Sequence, residues 1–254
     1  MRRFLKQLLY GLFYLAFWAL VALGVYFIYF RPTPTCTDGV KNQGEEDFDC
    51  GGPCDECFLR DIKPLRVVQP QLFEAGEGAT TVLVEVRNSN LGYAAPVFGY
   101  DLNFYDEQGQ IIFSSSDELF IYAGEIKTIV FPALEANFGD IFKTEFLPKD
   151  VAWVSGDKFP KPDLEYREIR TFREGAGFAV SGVTMNKSSY AVKQAVISAA
   201  LINRNGLLVN ASKTAASNLA PSEERFFKIF VPVLAVESEN IDLFQTRIFI
   251  DAKR

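Results

Sequence analysis

Residues Leu8 to Phe30 run for 23 positions without a charged side chain, and no other feature limits the fold so strongly. A helix rising about 1.5 Å per residue covers roughly 34 Å over that length, enough to cross a hydrocarbon core of about 30 Å with some tilt. The flank before it, residues 1–7, carries Arg2, Arg3 and Lys6 and no acid. Positive flanks stay on the cytoplasmic side. The sequence therefore predicts a cytoplasmic stub at 1–7, a transmembrane helix in the lipid bilayer at 8–30, and everything after Arg31 outside. Tyr10 near one end, and Tyr26 and Tyr29 near the other, suit the aromatic belts of the two interfaces. A cleaved signal peptide has an apolar region of about 7–15 residues that ends in small residues. Here the stretch ends Tyr26-Phe27-Ile28-Tyr29-Phe30-Arg31-Pro32, which offers no such site. The expected location is the plasma (inner) membrane, with the C-terminal domains periplasmic or extracellular.

Composition removes several classes of chemistry. The 254 residues include no His, which excludes a Ser-His-Asp triad, a Cys-His dyad and an HExxH metalloprotease. A net charge of −6 is opposite to the basic faces that nucleic acid selects, so no nucleic-acid partner is expected. Asp117-Glu118 and Glu223-Glu224 are sequence neighbours, whose side chains diverge on strands and do not make the facing carboxylates of a glycosidase. Asp101 interrupts an apolar strand but alternates with Asn103 and Tyr105 onto its solvent face. There is no P-loop, dinucleotide fingerprint or nucleophile elbow, and the chain is not expected to be an enzyme.

All four cysteines, Cys36, Cys50, Cys54 and Cys57, fall in a polar, acidic segment. An even number outside the membrane predicts two disulfides in a module too small for a hydrophobic core. Three pairings are open. A four-thiolate zinc site is the competing reading, but only one short C-x2-C knuckle is present and the compartment is oxidising. Cys36 to Cys57 has a net charge of −6, and Asp38, Asn42, Glu45, Asp47 and Asp49 concentrate oxygen ligands of the kind calcium prefers. It is not an EF-hand, because Val40 holds the third position and Gln43 stands where that loop needs Gly. The competing expectation is that Asp38 and Asn42 close Asx-turns and the remaining acids are solvated.

The run Cys36-Thr37-Asp38-Gly39-Val40-Lys41-Asn42-Gln43-Gly44-Glu45, then Asp49-Cys50-Gly51-Gly52-Pro53-Cys54 and Cys57, resembles the cysteine-rich DCGGxCxxC repeat of bacterial surface proteins. That resemblance implies a location outside the cell and a disulfide-bonded, cation-binding element, and it implies no enzymatic activity.

The remaining chain reads as a duplication. Val84-Glu85-Val86-Arg87-Asn88 answers Gly182-Val183-Thr184-Met185-Asn186, and Tyr93-Ala94 answers Tyr190-Ala191. Leu102 to Gly109 answers Ala199 to Gly206, Ala123-Gly124-Glu125 answers Pro221-Ser222-Glu223, and Phe131-Pro132 answers Val231-Pro232. Alternation of apolar residues at Val82, Val84 and Val86, and at Phe98, Tyr100, Leu102 and Phe104, predicts half-buried strands. Further strands are expected at Leu65–Val68, Ile111–Phe113, Ile126–Phe131 and Ile141–Phe146, with counterparts at Tyr166–Phe172, Leu207–Val209, Arg225–Val231 and Thr246–Ile250. The expected fold is all-β: two tandem Ig-like antiparallel β-sandwiches behind one transmembrane helix and a small disulfide-rich module. The boundaries are a Pro/Thr stalk and Cys-rich module at 31–57, a first sandwich at 58–154, a linker at 155–163 whose prolines favour an extended path, and a second sandwich at 164–254. Trp153 is read as the last core residue of the first sandwich. The two sandwiches differ in charge, −7 for Phe58 to Asp150 against +3 for Val151 to Arg254; the opposite signs suit a contact between domains or between chains, and the competing expectation is that both are ordinary solvated faces.

Leu102-x-Phe104-Tyr105-Asp106 with Gly109, after a strand ending in Asn88 and before Ala123-Gly124-Glu125, resembles the FxLYD domain and the related water-stress and late-embryogenesis (LEA-type) domains. The first copy exchanges the Phe and Leu of that motif, and the second, with Ala199, Leu201, Ile202 and Asn203, departs further. The resemblance implies a β-sandwich of secreted and anchored bacterial proteins, without known catalysis. The function expected is that of a non-enzymatic, membrane-anchored envelope protein displaying Ig-like domains for binding or scaffolding, with an unknown envelope or surface protein as partner. The alternative is calcium-dependent adhesion or stalk stiffening through the acidic module.

Overall fold

The computed structural model describes residues 2–27, 35–42, 44–234 and 238–253. Helix α1 (Arg2–Val25) opens the chain, and Arg3–Val25 is long and apolar enough to cross a membrane. Its large side chains, from Phe4 to Val25, are all exposed. The helix begins earlier than the expected start at Leu8. The expected end at Phe30, together with Tyr29 and Pro32-Thr33-Pro34 of the stalk, lies outside the described residues.

The chain forms two compact units, Met1–Ile62 and Lys63–Arg254. In the first, Cys36 is bonded to Cys54 and Cys50 to Cys57, so the two covalent loops interlace. Apart from Cys50, 1% exposed, little of this module is buried, and it has no apolar core among the described residues. The links do the work of a core in a segment this small.

Among the described residues, the second unit contains twelve strands: β1 (Arg66–Glu74), β2 (Thr80–Arg87), β3 (Tyr93–Tyr105), β4 (Ile111–Ile121), β5 (Ile126–Leu134), β6 (Lys143–Ser155), β7 (Leu164–Glu174), β8 (Gly177–Asn186), β9 (Val192–Ile202), β10 (Leu208–Leu219), β11 (Glu224–Pro232) and β12 (Arg247–Lys253). They pair antiparallel into four three-stranded sheets, β1-β2-β5 and β4-β3-β6 in the first half, β7-β8-β11 and β10-β9-β12 in the second. Each half is a sandwich with the same strand order. Val82, Val84 and Val86 of β2 pack against Phe98, Leu102 and Phe104 of β3 to form the first core, which Trp153 joins half-buried. Val180 of β8, Ile197 and Leu201 of β9 and Ile229 of β11 form the second. Strand alternation thus lies where the sequence places it, although β3, β4, β6, β9 and β10 each run 11 to 13 residues, longer than the short runs expected.

The two halves also repeat their hydrogen bonds. Asn88, buried where β2 ends, donates its amide to the Tyr93 and Tyr122 carbonyls, while its Oδ1 accepts from the Asn90 N–H. Asn186, at the end of β8, donates to the Tyr190 and Leu219 carbonyls and accepts from the Ser188 N–H. Asp106 accepts from the Gln108 and Gln110 N–H groups, and Asn203 accepts from those of Asn205 and Leu207. Both turns place a glycine at positive φ, 76° at Gly109 and 81° at Gly206, where any other residue is strained.

β2 departs from simple alternation. Leu83, on the face opposite Val82 and Val84, is only 6% exposed. It joins Val130 of β5, Ala200 of β9 and Ala211 of β10 in a third apolar cluster, with Phe73, Leu208 and Phe249 against it. The outer face of one sandwich therefore packs on the outer face of the other. A strand buried on both faces reads as a continuous apolar run, as Val82-Leu83-Val84 does. The linker takes part as well: it contains a 3₁₀ turn at Gly156–Lys158, and Phe159 stacks on Tyr122 at 4.8 Å between ring centroids. It is docked on the first sandwich, where the sequence suggests only an extended path.

Candidate functional site

The most unusual chemistry lies where the sandwiches meet. On β12, Ile248, Ile250 and Ala252 face the second core, which by strand alternation turns Phe249, Asp251 and Lys253 toward the first sandwich. On β5, Lys127 shares a face with Ile129 and Phe131 and is 3% exposed. Its ammonium makes an ion pair with Asp251, whose side chain is 21% exposed, and lies 3.6 Å from the centroid of the Phe120 ring.

Hydrogen bonds hold β12 to the first sandwich just beyond Asp251. The Tyr122 hydroxyl donates to the Ala252 carbonyl at 2.5 Å, and Lys253 Nζ donates to the Pro96 carbonyl at 3.2 Å. Farther along the interface, the Asn210 amide bridges the Glu74 carbonyl of the first sandwich and the Pro232 carbonyl of the second. Glu125 accepts from the Tyr122 N–H at 2.9 Å and pairs with Lys161 of the linker at 2.5 Å. A cavity of about 170 Å³ adjoins the pair, lined by Glu125, Lys127, Lys161, Ser198, Lys213 and Asp251 among others.

Burial dominates the electrostatics here. It pushes the Lys127 ammonium below the usual lysine range, against the pull of Asp251 and Glu125. It pushes the Asp251 carboxyl up, opposed by Lys127. Burial, with Asp251 nearby, raises Tyr122, which remains a hydroxyl donor at any physiological pH. Among the described residues, Asp251 Oδ1 is buried without a hydrogen-bond partner.

In the cysteine module the acids turn toward the backbone. Asp49 accepts the Gly39 N–H on both oxygens, at 2.9 and 3.0 Å. Asp38 accepts from the Val40 N–H and the Asn42 amide, hydrogen bonds that hold its carboxyl below the ordinary range, the Asn42 bond contributing most. Glu45, 5% exposed, accepts from the Asn42 and Asp49 N–H groups, and Asp47 from that of Phe48. Asn42 Oδ1 is buried with no donor facing it among the described residues. The five residues proposed from sequence as oxygen ligands thus sit in one loop, with four carboxylates engaged as turn caps. Among the described residues, no group of three or more acidic or cysteine side chains is gathered as metal ligands. Of the other acids singled out, Asp101 pairs with Lys149 and accepts from Ser116, both on the sheet surface.

No family model and no curated protein matches the sequence. Among solved structures, red sea bream transglutaminase is similar over 74% of this chain and 29% of its own length, at 13% identity and a TM-score of 0.21.

Sequence reasoning placed Lys127 and Asp251 in or beside strands and gave neither a role. A signal was present for both: a lysine in step with Ile129 and Phe131 is aimed at an apolar interior, and an acid directly after Ile248-Phe249-Ile250 is unusual on a terminal strand.

Proposed function

We propose that this chain is a non-enzymatic, single-pass membrane protein of the cell envelope, which holds a fixed pair of Ig-like sandwiches outside the membrane as a binding or scaffolding surface. The observation that carries this reading is helix α1, apolar on every side and exposed along its length. The basic flank Arg2, Arg3 and Lys6 argues for a cytoplasmic N-terminus. Two interlaced disulfides argue for an oxidising compartment beyond the helix.

In this reading the acidic loop is structural, its carboxylates capping the N–H groups of a module without a core. The sandwich contact gives the displayed unit one shape, since Leu83, Val130, Ala200 and Ala211 are all less than 10% exposed. The cavity beside Lys127 is smaller than the roughly 300–1,000 Å³ of ordinary ligand pockets, which favours a role in holding the sandwiches over substrate binding.

Membrane partition tests the anchor. The full chain is expected to stay with membranes through an alkaline carbonate wash and to be released by detergent, whereas a chain lacking residues 2–25 is expected in the soluble fraction. Release of the full chain by carbonate alone contradicts the reading.

A further inference from the structure

The Lys127–Asp251 pair is built unlike the other ion pairs described. Lys187–Glu165 and Arg167–Glu224 are surface pairs with both partners more than 40% exposed. Lys127 is 3% exposed, covered by the Phe120 ring, and in contact with a carboxylate from the other sandwich. Just beyond Asp251, strand β12 is held to the first sandwich by the Tyr122 hydroxyl on the Ala252 carbonyl and by Lys253 on the Pro96 carbonyl of β3. Asp251 Oδ1 lies buried with no donor of its own. A buried ion pair with an unsatisfied oxygen is costly, since the attraction offsets desolvation only when the remaining lone pairs are also matched.

We propose that Lys127 and Asp251 condense into a side-chain amide that covalently ties β5 of the first sandwich to β12 of the second. In this step the lysine nitrogen attacks Cγ of Asp251. An N–Cγ bond forms, one Cγ–O bond breaks, and the oxygen leaves as water with two of the three ammonium protons. Nothing is oxidised or reduced, and no co-reactant is consumed. The product is neutral and has one oxygen fewer to satisfy.

Three features favour the reaction. First, the fold holds nitrogen and carboxyl in contact, which converts an encounter of two free groups into a step within one molecule; such positioning is worth effective molarities of about 10⁵–10⁸ M in the best cases. Second, the reactive forms are a free amine and a protonated acid, and burial drives both groups that way, Lys127 downward and Asp251 upward. Third, the adjoining cavity of about 170 Å³, lined by Glu125, Lys161 and Ser198, gives the departing water polar neighbours and a way out. No other lysine and acid among the pairs described meet under such cover. A permanent tie across the sandwich contact suits a protein that must keep its shape outside a cell, but the inference depends only on the contact itself.

Intact-mass spectrometry of the full chain, purified in detergent and reduced, tests the proposal. The chain is expected to be lighter than its sequence requires by one water molecule. Proteolysis is expected to give one branched peptide that joins the segment containing Lys127 to the segment containing Asp251. Lys127→Arg and Asp251→Ala are expected at full mass. If either variant fails to fold, the branched peptide from the unaltered chain decides alone. Full mass in the unaltered chain overturns the proposal, as does a missing water that persists in Lys127→Arg.

Discussion

Asp251→Ala is expected to destabilise the unit Lys63–Arg254 by about 3 kcal/mol, a loss read from the midpoint of denaturant unfolding. The physical reason is that truncating one partner leaves the other buried and unmatched. Lys127 is 3% exposed, and besides Asp251 its ammonium lies against the Phe120 ring, which cannot replace a carboxylate. The value is at the low end for broken buried pairs, because the lysine can shed its proton and the Asp251 side chain is itself 21% exposed. It is a floor where the pair has condensed, since the variant then also loses a cross-link. Glu165→Ala, which breaks a pair 45% and 52% exposed, is expected to leave the midpoint unchanged. Equal effects of the two substitutions contradict the account of the sandwich contact.

Reducing the disulfides is expected to abolish the structure of residues 36–57 while leaving the sandwiches intact. Cys36–Cys54 and Cys50–Cys57 close loops with sequence separations of 18 and 7, and they interlace, so each limits the freedom left by the other. A single link closing about 15 residues is worth roughly 3 kcal/mol in the chain-entropy account. The module has no apolar cluster to offset that loss; its best-buried side chains are Cys50 and Glu45. Lys63–Arg254 contains no cysteine, so its unfolding is expected at the same midpoint with and without reductant. Hydrogen exchange on the full chain separates the two regions. Retained protection at Glu46, Cys50 and Gly51, whose N–H groups are bonded within the module, contradicts this view.

Much of the fold was legible because it follows from periodicity. Val82, Val84 and Val86 can be assigned to a core face by alternation alone, and the Asp106 and Asn203 turns by their Gly three residues later. The duplication was legible for the same reason, since Asn88 and Asn186 end equivalent strands and close equivalent corners. The disulfide pairing was not, because four cysteines admit three pairings and only the path of the loop chooses among them.

The contact between sandwiches was harder still. It rests on Leu83, Val130, Ala200 and Ala211, small or isolated apolar residues on faces that alternation alone assigns to solvent. Net charge left both a contact and ordinary solvated faces open, and it named no residues. The acidic first sandwich contributes the lysine of the buried pair, and the basic second sandwich contributes the acid. Long-range charge says little about which two groups are desolvated together, because burial and geometry at a single point outweigh a screened average over the surface.

Protease treatment of intact cells that carry the full chain, with any outer membrane opened, tests the central claim most directly. Display outside the membrane predicts that added protease removes the chain beyond the helix and leaves a short membrane-held fragment containing Arg2–Val25. A chain that stays intact until the inner membrane is broken places the sandwiches on the cytoplasmic side and contradicts the account.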